Sequence, residues 1–96
     1  MSNIPPSHPT TVNWIRETLC HQLNPTYIEV DDDSWQHVGH PGAQQGGGHF
    51  TLWIQAESLS NLSAIKAHQV IYQTLQAKMG QEIHALSIQL QVKPVK

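Results

Sequence analysis

His49-Phe50-Thr51-Leu52-Trp53-Ile54-Gln55-Ala56 divides into two interleaved sets. Phe50, Leu52, Ile54 and Ala56 form one set. His49, Thr51, Trp53 and Gln55 form the other. Successive side chains of a strand point to opposite faces, so this period of two reads as a half-buried strand. It needs a partner strand and a helix to cover its apolar face.

The partner strand lies upstream. Tyr27 to Val30 reads as a strand, followed by Asp31-Asp32-Asp33. The remaining ligands of a calcium loop are missing, so the triplet reads as a solvated strand end. Between the strands runs Ser34-Trp35-Gln36-His37-Val38-Gly39-His40-Pro41-Gly42-Ala43-Gln44-Gln45-Gly46-Gly47-Gly48-His49. Its glycines and proline argue for a loop rather than a packed element. Its imidazoles are ready metal ligands when neutral.

The covering helices lie on either side. Val12 to Leu23 reads as the first, capped by Thr10 or Thr11, with Ile15, Leu19 and Leu23 four apart. Cys20 flanks that stripe and reads as a small apolar helix residue rather than a reactive thiol. Asn24-Pro25 ends the helix, because the residue before proline avoids helical geometry. Downstream, Glu57 to Ser63 reads as a turn with room for one short helical turn. Ser63 then caps a helix from Ala64 to Lys78. Its stripe is Ala64, Ala67, His68, Ile71, Tyr72, Leu75 and Met79. Gly80 stops it. Ile83 to Val92 reads as the last strand, alternating through Leu86, Ile88 and Leu90.

The reading is a small single α/β (α+β) domain in the order helix, strand, strand, short turn, helix, strand. Met1 to Thr11 reads as a disordered leader and residues 12–96 as the domain. Charged residues make up 12% of the chain, about half of the usual 25% or so. The formal charge is −2, and the five basic residues Arg16, Lys66, Lys78, Lys93 and Lys96 are scattered. Phosphate neutralisation dominates nucleic-acid affinity, so weak nucleic-acid binding is the expectation. One cysteine excludes an internal disulfide and fits a reducing cytoplasm. No apolar run is long enough for a membrane span, and none resembles a signal peptide.

Three histidines fall in the loop: His37, His40 and His49. His49 is in register with its strand and is the most fixed. His68 sits in the apolar stripe of the long helix and reads as a core histidine with a hydrogen-bond partner. His84 opens the last strand in phase with Leu86 and Ile88. A rigid backbone with its ring at the end of a sheet suits a ligand, although an edge-of-core role suits it too. HExxH, CxxC, a phosphate loop and a nucleophile elbow are all absent, so nothing points to an enzyme. A half-site completed by another protein fits the histidines better than a full metal centre.

Four segments together resemble the BolA family. They are Ile28-Glu29-Val30-Asp31-Asp32-Asp33-Ser34-Trp35-Gln36-His37, Gly48-His49-Phe50, Ala67-His68-Gln69-Val70-Ile71-Tyr72-Gln73-Thr74-Leu75 and Ile83-His84-Ala85-Leu86-Ser87-Ile88. The resemblance runs from about Val12 to Lys93. It implies a three-stranded mixed sheet packed on helices, similar to the class II KH arrangement. It also implies a non-enzymatic partner of a monothiol CGFS glutaredoxin, sharing a [2Fe–2S] cluster with it. The glutaredoxin brings a cysteine and a glutathione thiolate. The BolA side brings the match to His84 and a loop residue, here His37, with His40 a close rival. Imidazole in place of thiolate raises a cluster's potential. Protonated histidine cannot ligate, so the site would be sensitive to pH. A KH-like DNA-binding regulator is the second reading, and a free form that is monomeric or weakly dimeric is implied. The chain departs from the family at Ala67-His68-Gln69, where many relatives carry Arg-His-Arg, and at Leu59 and Asn61, where an aromatic and a glycine are common. Both changes weaken the nucleic-acid reading. Gly39 and Gly42 have Gly-x-x-Gly spacing, but beside no basic residue. Trp53 is the natural contact for a partner adaptor that never meets a cluster, or packs under the first helix.

Overall fold

The computed structural model describes residues 9–34 and 48–95. Helix α1 spans Pro9–Leu23, strand β1 Tyr27–Asp32, strand β2 Gly48–Gln55, helix α2 Glu57–Ser60, helix α3 Ala64–Thr74 and strand β3 Ile83–Gln89. The strands form one mixed sheet in the order β1-β2-β3. β1 runs antiparallel to β2, and β3 runs parallel to it. The element order and the mixed sheet expected from the sequence are both present.

The alternation of β2 is realised in full. Phe50, Leu52 and Ile54 are buried, as is Ala56 just beyond the strand. Ile15 and Leu19 of α1 and Ala67 and Ile71 of α3 pack in the same cluster, with Val30, Leu59, Leu75, Ile83, Leu86 and Ile88. Burying a side chain of this size contributes about 1.5–3 kcal/mol. Trp53 lies on the opposite face, away from α1. There its Nε1 donates to Asp31 Oδ2 at 3.2 Å.

Several boundaries differ from expectation. α1 begins at Pro9, not Val12, so Pro9, Thr10 and Thr11 leave the expected leader and join the helix. Proline suits the first turn, where its missing N–H would have had no partner. Residues 1–8 lie outside the described residues. Cys20 is exposed. One residue past buried Leu19, it is rotated about 100° away from the core. Asn24 ends α1 with φ 52°, a left-handed geometry that asparagine tolerates better than most residues.

α3 ends at Thr74, four residues before Lys78. Thr74 Oγ1 donates back to the Val70 carbonyl at 2.7 Å, and backbone bonds spanning three residues follow, Gln76 N to Gln73 O and Lys78 N to Leu75 O. This winding keeps Leu75 buried and brings Met79 beside Ile83. The Ser63 cap is as expected, accepting from Lys66 N at 3.2 Å. β3 stops at Gln89 rather than Val92. β1 continues to Asp32, so the aspartates are not merely solvated. Asp31 accepts from Trp53, Asp32 from Ser34 N at 2.9 Å, and Asp33 from the Thr51 hydroxyl.

Candidate metal-ligating face

Parallel pairing sets the starts of β2 and β3 side by side. Each strand has histidine as its second residue: Gly48-His49 and Ile83-His84. The register is interrupted there, since Gly48 pairs with Ile83 while His49 pairs with Ala85. His84 is therefore an extra residue on β3, a bulge. Bulges re-aim side chains. Ile83 and Leu86 stay buried, while His84 and Ala85 between them are both exposed. The expectation that His84 shares the face of Leu86 and Ile88 is overturned by this one-residue shift.

The bulge leaves the His84 ring beside that of His49. Their centroids are 5.0 Å apart and the rings are tilted by 47°. Backbone bonds hold His49 from several sides. Its carbonyl accepts from Asp33 N at 2.7 Å, and its N–H donates to Ser34 Oγ at 3.1 Å. Gly48 N donates to the Glu82 carbonyl at 2.8 Å, tying β2 to the residues just before His84. Ser34 is buried and its own N–H is held by Asp32. The two imidazoles thus stand on sheet backbone rather than on free loop.

Of the ligands expected from the sequence, His84 is at this face. His37 and His40 lie outside the described residues. Chain connectivity places the ends of their loop at Ser34 and Gly48, the two residues that flank His49. His68 is half-buried on α3, so water can satisfy its ring and an enclosed partner is not required. Among the described residues no group of three or more His, Cys, Asp or Glu could hold a metal ion. They supply a pair of nitrogens. Nearby, Glu82 is held below the usual carboxylate range by a backbone hydrogen bond and by Lys78.

The adjacency of His49 and His84 was the feature that sequence reasoning missed. Its signal was the shared placement of histidine one residue into each of two strands that run parallel. A groove among the described residues lies elsewhere. It is lined by Ile54, Gln55, Ala56, Leu59, Ser60 and Leu90, at the far end of β2 from His49.

The family model for BolA-like proteins matches residues 19–93. The chain belongs to the BolA-like family. SufE-like protein 1 of Arabidopsis thaliana, a chloroplastic/mitochondrial protein, is 39% identical over 79 residues, covering 77% of this chain and 21% of that protein. The solved BolA domain of SufE1 from the same plant superposes with a TM-score of 0.76 at 36% identity, covering 88% of this chain and 94% of that one. The DNA-binding transcriptional regulator BolA of Haemophilus influenzae is 26% identical over 76 residues, covering 79% of this chain and 71% of that protein. The chain thus spans about a fifth of the first relative's length.

Proposed function

We propose that this BolA-like chain is a non-enzymatic accessory protein that binds a monothiol CGFS glutaredoxin and co-ligates a [2Fe–2S] cluster, in iron–sulfur trafficking or iron and redox regulation. The observation that carries the reading is the His49–His84 pair, two imidazoles with centroids 5.0 Å apart at the mouth of a rigid sheet. Two nitrogen donors fit one iron of a mixed-ligand cluster whose other iron takes thiolates. When bound, such a cluster supplies one-electron chemistry at a potential raised by the nitrogen ligands.

The chain's own part is to hold donors in place. His84 is the first choice of ligand, because the bulge exposes it between Ile83 and Ala85, both of which pair with β2. The second ligand comes from the loop side. His37 holds the family's position, His40 is its rival, and the geometry brings His49 into contention. Glutathione and the glutaredoxin cysteine complete the set from the partner. Cytoplasm or another reducing compartment suits one exposed, unpaired cysteine. Among the described residues no helix is long and apolar enough to cross a membrane.

The second reading is a DNA-binding regulator, supported by the name of the Haemophilus relative. Five basic residues against seven acidic ones weigh against it, because phosphate contacts supply most nucleic-acid affinity. The test is to mix the chain with a cluster-loaded monothiol glutaredoxin and record visible absorption and circular dichroism. A new spectrum in a one-to-one complex, lost in His84→Ala, is the expected result. His37→Ala, His40→Ala and His49→Ala then rank the second ligand. A glutaredoxin spectrum that does not change, with no complex formed, would remove the reading and bring DNA binding forward.

A further inference from the structure

The long helices stand on one face of the sheet. Ile15 and Leu19 of α1 and Ala67 and Ile71 of α3 share a cluster with Phe50, Leu52 and Ile54. The alternate residues of each strand face away from that cluster. Among the described residues no helix covers that second face, and the segment after β3 crosses it at Lys93.

β1 lines this open face with carboxylates. Glu29 stands opposite Trp53 in the ladder, Asp31 accepts from the Trp53 indole, and Asp33 accepts from the Thr51 hydroxyl. The three are two residues apart, so they form a row spaced about 7 Å along the chain. Lys93 meets Asp31. Among the described residues neither Glu29 nor Asp33 has an ion pair. The row ends at the candidate ligand pair. His49 is two residues before Thr51 on β2 and shares its face, and Asp33 N donates to the His49 carbonyl at 2.7 Å.

We infer that this open face is where the partner of the shared cluster docks, and that the partner's surface beside its thiolates carries lysine or arginine to meet Glu29 and Asp33. The inference rests on the shared-cluster reading, since it takes His49 and His84 as facing that partner. Charge decides the occupant. Segments 1–8 and 35–47 contain no lysine or arginine, so neither supplies the cations. A second copy offers no basic patch either. Its Arg16 is on α1, its Lys66 on α3, and its Lys78 is paired with Glu82. Nucleic acid would set phosphates against carboxylates. Lys93 shows the chemistry that the face accepts, an ammonium 2.9 Å from a carboxylate of the row. Charges at the rim of an interface steer encounter and fix orientation, and salt screens them. The row thus turns the partner's thiolates toward His49 and His84.

The experiment titrates the full chain into a cluster-loaded monothiol glutaredoxin and follows the visible spectrum, at ionic strengths from about 0.05 M to about 0.5 M. It compares wild type with E29Q/D33N and with E17Q/E57Q. The second variant removes the same charge from exposed positions on α1 and α2. Wild type should bind more weakly as salt rises. E29Q/D33N should bind about tenfold more weakly at low salt and lose most of the salt dependence. It should still reach the mixed-ligand spectrum at saturation. E17Q/E57Q should match wild type. A wild type that forms no complex would remove the shared-cluster reading, and this inference with it. A complex whose affinity E29Q/D33N leaves unchanged would overturn this inference and leave that reading standing. Far-UV circular dichroism checks the fold. If E29Q/D33N does not fold, amide shifts of the wild type on binding decide. Thr51, Ser87 and the Trp53 indole should move, and movement confined to α1 and α3 would overturn the inference.

Discussion

Lys93 Nζ lies 2.9 Å from Asp31 Oδ2, across the open face of the sheet, on a segment that has already left β3. The same carboxylate accepts from Trp53 Nε1, and Lys93 N donates to the Tyr27 hydroxyl at 3.2 Å. The segment after β3 is therefore strapped back to β1, over the outer face of β2. Trp53 is the sensor of this strap. We expect Lys93→Ala to shift the Trp53 indole N–H resonance and speed its exchange, with little change in Tm, because exposed ion pairs add little stability. An unmoved indole signal would show that the strap does not order the face.

The pH dependence of that strap follows from its direction. The hydrogen bond to Asp31 raises Lys93 above its ordinary value of 10.5. A group whose folded pKa is raised contributes in full below the unfolded value and loses its contribution as pH climbs through the folded one. The lysine's contribution to the strap should hold unchanged through neutral pH and be lost in alkali above about 10.5. Glu82 runs the other way. It is held below its ordinary 4.5, so its contribution is present above that pH and fades as acid takes it through the lowered value. A titration following Trp53 should show no step between these limits from either group.

Ser34 fixes His49 through one hydroxyl, which accepts the His49 N–H at 3.1 Å while the serine itself is buried. Ser34→Ala removes that acceptor. The bond is part-buried, and losing a hydrogen bond of this kind costs about 0.5–1.5 kcal/mol. Denaturant unfolding should show a loss in that range, and exchange at the His49 amide should speed up. If the His pair is a ligand pair, cluster co-ligation should weaken with it even though no imidazole has been changed. Stability and His49 exchange equal to wild type would mean that the ladder alone holds the residue.

The sheet was legible because β2 is half-buried, and a period of two is visible only when one face meets water. Phe50, Leu52 and Ile54 announced the core on that ground alone. The ends of elements were less legible, because tertiary partners decide them. Thr74 bonding back to Val70, and Met79 being drawn to Ile83, shorten α3 in ways no local pattern records. The candidate site was legible in kind but not in geometry. His84 stood out for its mount, yet strict alternation assigned it to the face of Leu86. A bulge is a property of two strands together, and the sequence of one strand does not encode it. The partnership with His49 depended on the same β2–β3 register.

Leu52 tests the core reading most directly. It is fully buried at the middle of β2, paired to Val30 on one side and Ile88 on the other. Both neighbours are strands, so the site can collapse only if the sheet itself moves. Leu52→Ala should therefore cost about 2–5 kcal/mol, the range for truncating a large buried aliphatic residue. Val95→Ala is the matched control, since Val95 is 95% exposed and surface changes usually stay within about 0.5 kcal/mol. Gly80→Ala probes backbone instead of packing. Its φ is +81°, and an added Cβ would meet nothing within 4 Å. The whole penalty is then conformational, about 1–2 kcal/mol. Denaturant melts of the three variants should rank Leu52→Ala below Gly80→Ala, and Gly80→Ala below Val95→Ala. A Gly80→Ala chain as stable as wild type would mean that the turn before β3 relaxes out of its left-handed geometry, and the backbone that mounts His84 would be softer than its hydrogen bonds imply.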